Sequence, residues 1–223
     1  EKAGRQLIVA GCLPAWDKNG EYRDKYPEVD LWTGVNDTGK IAQYLVNHQS
    51  PGEAGKAEYL YSHETPRLQL TLPHLAFLKI ADGCDNCCTY CSIPGIRGQL
   101  RSRPISSVVT EAKGLIANGV KELIVIAQDI TAYGLDRKGS GETLAKLLQN
   151  LTALEGDFVI RLLYTHPAHY TSELIDFLGK SPKILPYLDM PLQHINDRIL
   201  KAMGRKVTKA QVVALIAELR KKI

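Results

Sequence analysis

The sequence predicts an α/β fold with parallel strands, and three observations carry that prediction. From residue 72 onward short apolar runs alternate with stretches of helical period. One of these runs, 122–128, is nearly all apolar, as a strand covered by helices on both faces should be. A loop dense in cysteine follows the first run, and open α/β sheets bind their ligands beyond the carboxyl ends of the strands.

Residues 5–49 read as the tail of a first domain. Gln6 to Ala10 forms a short strand that ends at Gly11 and Cys12, and a second strand falls around Val29 to Trp32. Asn36, Asp37 and Thr38 offer capping side chains, and Ile41, Tyr44, Leu45 and His48 follow at helical spacing. Strand, loop, strand and helix make half of an α/β layer, too little to bury a core alone. The polar stretch 50–71, with Pro51, Gly52, Gly55 and Pro66, reads as a linker.

The larger domain covers 72–223. Its strands are expected at 75–80, 122–128, 158–164 and 184–190, and its helices at 104–118, 141–153, 171–179 and 196–203. Pro104 suits a first helical turn and Gly119 a helix stop. Thr208 and Gln211 form a capping box ahead of a final helix whose apolar face is Val212, Leu215, Ile216 and Leu219. Such alternation implies parallel strands joined by right-handed crossovers.

Bulk properties narrow the function. The 223 residues carry a net charge of +4, which does not demand a nucleic-acid partner, and no DNA-binding role is expected. Apolar runs fall well short of membrane-spanning length, and the first residues given show no signal-peptide pattern. The first residue is Glu1 rather than Met, so the chain reads as an internal fragment. Arg97, Arg101 and Arg103 cluster after the cysteine loop, as a solvated basic loop or a patch for an acidic substrate, RNA or a ribosome surface. Five cysteines, four of them within eight residues, make a poor disulfide framework and a good metal one, in keeping with a reducing cytoplasm.

The chemistry centres on Cys84, Cys88 and Cys91, spaced C-x3-C-x2-C. Structural zinc sites normally close with four protein ligands. Three thiolates on one loop suit a four-iron cluster that keeps one iron open to a small molecule. A structural zinc loop or buried thiols remain the alternatives. Cys87 beside the second ligand blurs which of the pair binds.

The motif, with Tyr90 just before its last cysteine, resembles that of the radical S-adenosylmethionine (SAM) enzymes. The text DGCDNCCTYCSIPGIRGQLRSRP and the later VIAQDITAYGLD resemble the methylthiotransferases among them, most of all the branch acting on ribosomal protein S twelve. The resemblance implies a partial (β/α) radical SAM barrel preceded by an N-terminal methylthiotransferase domain. It also selects Cys88 over Cys87. It implies that the open iron of the [4Fe-4S] cluster chelates SAM, and that reduction cleaves SAM to a 5′-deoxyadenosyl radical which takes hydrogen from an unactivated carbon. An auxiliary [4Fe-4S] cluster then helps install sulfur, and a second SAM supplies the methyl group. By the same resemblance Cys12 is one ligand of that auxiliary cluster, the only one in this chain, and Tyr90 packs on the adenine of SAM. The substrate so implied is the β-carbon of an aspartate in the ribosomal protein, on the ribosome or free, with a protein electron donor. A tRNA-adenosine methylthiotransferase is the alternative, and a non-catalytic iron–sulfur or zinc protein the alternative of another class.

Polar residues at the expected strand ends complete the candidates. Gln128, Arg161 and Gln193 could contact SAM or substrate, as could Asp129 and His194. Arg161 inside an apolar strand needs a partner, either the methionine carboxylate or a structural acid. His166 and His169 read as loop histidines rather than zinc ligands, since no acid or cysteine pair lies near them in sequence. Gly139-Ser140-Gly141 lacks the lysine of a phosphate loop and reads as a turn before a helix.

Overall fold

The computed structural model describes residues 5–35, 37, 39, 41–47 and 59–223. Its residues group into two compact units, one of Glu1–Leu60, Gly83–Asp85 and Cys91–Gln99, the other of Tyr61–Asp82, Asn86–Tyr90 and Leu100–Ile223.

In the first unit β1 (Ile8–Gly11) and β2 (Leu31–Gly34) pair in parallel. The loop before β2 is tied back by Asp30, whose carboxylate accepts from the Leu7 amide at 2.7 Å. α1 (Cys12–Trp16) packs on both strands and on α4 (Ile93–Arg97). α2 (Glu21–Lys25) has no capping side chain next to it. Its first amides are satisfied from further upstream, where one oxygen of Asp17 accepts from Tyr22 and Arg23 at 3.1 Å each. α3 (Ile41–Asn47) is anchored by Tyr44, whose hydroxyl donates to the Asp30 carbonyl. The expected caps Asn36 and Thr38, and His48 of the apolar face, lie outside the described residues.

The second unit holds a four-stranded parallel sheet of β3 (Leu75–Lys79), β6 (Glu122–Ile126), β7 (Val159–Leu162) and β8 (Ile184–Leu188), in that order. Between its first two strands a two-residue antiparallel ladder joins β4 (Ala81–Asp82) to β5 (Arg101–Ser102). α5 (Ile105–Ala117) packs on β3 and on α6 (Leu144–Thr152), α6 on α7 (Ser172–Leu178), and α7 on α9 (Lys209–Lys222). The core between sheet and helices includes Leu78, Leu123, Val125, Leu147, Leu151, Ile160 and Leu162, all essentially inaccessible to water. The expected parallel α/β alternation is present, strand for strand and helix for helix.

Side-chain caps fix the helix starts: Thr143 for α6, Thr171 for α7, Asn196 for α8 (Asp197–Ala202) and the full Thr208/Gln211 box for α9. On α9, Val212 and Leu219 are buried and Leu215 and Ile216 half-buried, the face read from the sequence. Residues of the polar stretch before β3 are tied to α5. The Tyr61 hydroxyl and the Arg67 guanidinium donate to Glu111, and the His63 ring meets Ser107.

Candidate active site

The cysteine loop leaves β4 and is held at several points. In the first unit the Cys84 amide donates to the Gly98 carbonyl at 3.1 Å, and the half-buried Cys91 precedes α4. Cys12 opens α1, exposed, with the Arg97 guanidinium 3.6 Å from its sulfur.

In the second unit the segment 86–90 rests on the end of α8. That helix closes with a Schellman motif: the Gly204 amide donates to Lys201 and the Arg205 amide to Leu200. The motif puts Gly204 at φ +69°, against the Cys87 carbonyl. Thr89 donates its amide to Met203 and its hydroxyl to Ala202, both at 3.1 Å. Arg205 then turns inward. Its Nη1 lies 3.8 Å from Cys88 Sγ, and its Nη2 donates to the Pro191 carbonyl at 2.8 Å. Burial, and then the hydrogen bond to Cys88, push the Tyr90 hydroxyl above its ordinary pKa, while Arg205 pulls the other way. Tyr90 is 51% exposed, so its ring keeps an open face. Cys88 is half-buried among these groups, whereas Cys87 is exposed.

The carboxyl ends of the central strands carry a second polar group. Asp129, just past β6, is 3% exposed and fully engaged. It accepts from Asn86 of the cysteine loop at 2.7 Å, from the Thr131 hydroxyl at 2.6 Å, from the Ala132 amide at 3.2 Å and from His169 Nδ1 at 2.8 Å. Burial works to raise its pKa, but the bonds from His169, Thr131 and Asn86 hold the carboxyl below the ordinary carboxylate range. His166 stacks on His169 with ring centroids 5.1 Å apart. Burial, reinforced by the Arg205 charge, lowers His166 to about 4, so the ring is neutral.

Asp129, His166 and His169 bring potential metal-ligand atoms within 4.8 Å of one another. The acid missing from the sequence neighbourhood is therefore supplied by the fold. Hydrogen bonding nonetheless argues against a metal there. His166 Nδ1 accepts the Ala168 amide, which assigns the ring proton to Nε2 and leaves His166 a donor, with no free lone pair. The trio reads as a satisfied hydrogen-bond network that ties the cysteine loop to the strand ends.

The remaining candidates sit as follows. Gln128 is half-buried, with an Oε1 that has no hydrogen-bond partner among the described residues. Gln193, beyond β8, is exposed with φ +68°, and Tyr164, beyond β7, has φ +62°. Arg161 bonds Glu122 at the start of β6 and lies over the Tyr187 ring. The structural acid is thus its partner in the fold. Arg103 corrects the reading of a basic loop. It is fully buried, donating to Glu111 and to the Lys79 carbonyl at 2.6 Å each and to Ser107, over the Tyr61 ring. The segment around Asp129 also ties β5 down: the Tyr133 hydroxyl donates to the Arg103 carbonyl, and Asp136 accepts from the Ser102 amide and hydroxyl. Sequence reasoning missed Arg205. Its available signal was its place just after a glycine that stops a short helix.

A parallel α/β sheet whose first strand leads into a loop of three spaced cysteines defines a class. Residues 78–223 match the model described as the Radical SAM superfamily, and the chain belongs to that superfamily. Curated relatives narrow the likeness. The chain is 44% identical over 223 residues to the ribosomal protein uS12 methylthiotransferase RimO of Geotalea uraniireducens (strain Rf4), covering 98% of this chain and 49% of that protein. It is 44% identical over 222 residues to the protein of the same name from Clostridium tetani (strain Massachusetts / E88), with 97% and 49% covered. The chain spans about half the length of the curated relatives it matches. Among solved structures, the cobalamin-dependent S-adenosylmethionine radical enzyme OxsB, with aqua-cobalamin and S-adenosylmethionine bound, superposes with a TM-score of 0.68 at 11% identity, covering 95% of this chain and 34% of that one. The radical S-adenosylmethionine methyltransferase TsrM from Kitasatospora setae, with cobalamin and a [4Fe-4S] cluster bound, gives 0.53 at 19% identity, covering 66% and 29%. At such identities the likeness is one of fold. No helix among the described residues is long and apolar enough to cross a membrane.

Proposed function

We propose that this chain is part of a methylthiotransferase that adds a methylthio group to the β-carbon of an aspartate in ribosomal protein S twelve. The observation that carries the reading is the identity of more than two residues in five, along nearly the whole chain, with relatives of that name. The three-thiol loop supplies the donor set that the chemistry needs. The proposal includes a first domain over 1–49, a connecting segment over 50–71 and a radical SAM domain over 72–223. A ribosomal-protein partner, on the ribosome or free, a protein electron donor and a cytoplasmic setting belong to it as well.

The donor set fits a [4Fe-4S] cluster on Cys84, Cys88 and Cys91, with one iron left for SAM. The family's motif spacing takes Cys88 rather than Cys87 as the ligand, and Arg205 stands beside its sulfur. When bound, the cluster and SAM supply one-electron chemistry able to attack an unactivated carbon. The chain's own residues position and shield. Asn86 and Asp129 fix the cysteine loop to the strand ends, and the α8 terminus holds it from beneath. The open face of Tyr90 is offered to the adenine. Gln128, with its unpartnered oxygen, and Gln193 are offered to the nucleoside, the methionine moiety or the substrate. Arg161 would serve as a cofactor contact only by leaving Glu122. Cys12 is proposed as one ligand of an auxiliary [4Fe-4S] cluster.

The test uses the full-length protein, reconstituted anaerobically with iron and sulfide and given SAM, a reductant and either a ribosomal-protein peptide or tRNA. Mass spectrometry should find a methylthio group on the peptide aspartate. Modification of a tRNA nucleoside instead would refute the substrate assignment. Replacing Cys88 by serine should abolish iron loading, whereas Cys87→Ser should retain it.

A further inference from the structure

Arg205 is charged, 8% exposed and 117 residues away in sequence from the sulfur it approaches. Among the described residues no carboxylate forms an ion pair with it, and its Nε has no hydrogen-bond partner. A buried guanidinium in that condition is costly unless an anion lies beside it. The α8 Schellman motif leaves it little choice of place: Gly204 is pinned against the Cys87 carbonyl, and the next residue points at Cys88. A cysteine that ligates metal does so as a thiolate. The Cys88 sulfur, 3.8 Å from Arg205 Nη1, is the anion the geometry supplies.

We propose that Arg205 is the counter-cation of the cluster held by Cys88, a positioning residue that raises the cluster's reduction potential. The inference rests on the cluster reading given above. Reduction adds one electron, taken from an added reductant such as dithionite, and no proton. The added negative charge spreads over iron and sulfur. A fixed cation and its N–H donor beside one ligand sulfur stabilise the reduced form more than the oxidised form, since net charge and hydrogen bonds to sulfur set the potential of such clusters. Arg205 thereby makes the low-potential electron transfer easier without touching the substrate.

The test is an EPR-monitored redox titration of the full-length protein, reconstituted anaerobically, as wild type, Arg205→Gln and Arg205→Lys. Arg205→Gln should hold wild-type iron while its reduction equilibrium becomes about tenfold less favourable, a midpoint ~59 mV lower for one electron. Arg205→Lys keeps the charge and should recover most of that shift. A reduction equilibrium in Arg205→Gln within twofold of wild type, at full iron content, would overturn the proposal. So would loss of iron from both variants with an unchanged circular dichroism spectrum, which would make Arg205 an anchor of the loop alone. Failure of the wild type itself to take up a four-iron cluster would instead sink the reading beneath it, and that is seen before any variant is measured.

Discussion

Gly204→Ala tests how the cysteine loop is supported. At φ +69° an alanine would sit in the left-handed region, which costs roughly 1–2 kcal/mol for a residue with a Cβ. Its Cβ would also lie 2.7 Å from the Cys87 carbonyl oxygen, where ordinary contact begins at 3.4 Å. That oxygen is main chain and cannot rotate aside, so the loop must retreat by 3.4 − 2.7, about 0.7 Å. Overpacking of this kind adds roughly 1–3 kcal/mol, for a total of about 2–5 kcal/mol. Gly119→Ala provides the control. It too has a positive φ, +92°, but nothing lies within 4 Å of its added Cβ, so only the conformational cost applies. Urea denaturation of both variants, with iron content after reconstitution, separates the two costs. Gly204→Ala should be the less stable by 1 kcal/mol or more and should load less iron. Equal stabilities with full iron in both would refute the claim that the α8 terminus supports the loop.

Three more perturbations probe the frame around the site. Glu111→Gln strips Arg103, at 0% exposure, of its carboxylate and should cost about 3–5 kcal/mol in a urea titration. His166 is depressed from 6.5 to about 4, so the unfolded chain takes up its proton first. The resulting stability is whole above pH 6.5 and is lost as the pH falls toward 4, by about 3 kcal/mol at most. Denaturation midpoints at pH 7, 6 and 5 should show that slope, and His166→Asn should flatten it. Thr208→Ala removes the hydroxyl of the α9 capping box and should lower stability by about 1 kcal/mol, read by thermal melting.

The legible parts of the fold were those governed by short-range rules. Val125, Ile160 and their neighbours formed apolar runs because strands covered on both faces admit little else. Thr208 and Gln211 announced a helix because both halves of its cap lie within four residues. α1 and α2 gave no such notice. Their N-cap positions are glycines, and the acid that serves α2 stands several residues upstream at Asp17. The same distance effect governs the site. Cys84, Cys88 and Cys91 sit in one string of text and could be read. Arg205 reaches Cys88 across more than a hundred residues, and Asp129 meets His169 across 40. Arg103 misled because a cluster of arginines looks solvated until the partner, Glu111, is seen on the next helix.

Tyr164 and Gln193 are the described non-glycine residues with left-handed backbones, Tyr164 shortly after β7 and Gln193 in the segment that follows the edge strand β8. Either could be exchanged for glycine with relief of roughly 1–2 kcal/mol of backbone cost. A search for hardier variants would therefore be drawn to these two positions first. It would erase there the Gln193 side chain that the proposed function offers to cofactor or substrate, so endurance would come at the expense of that contact.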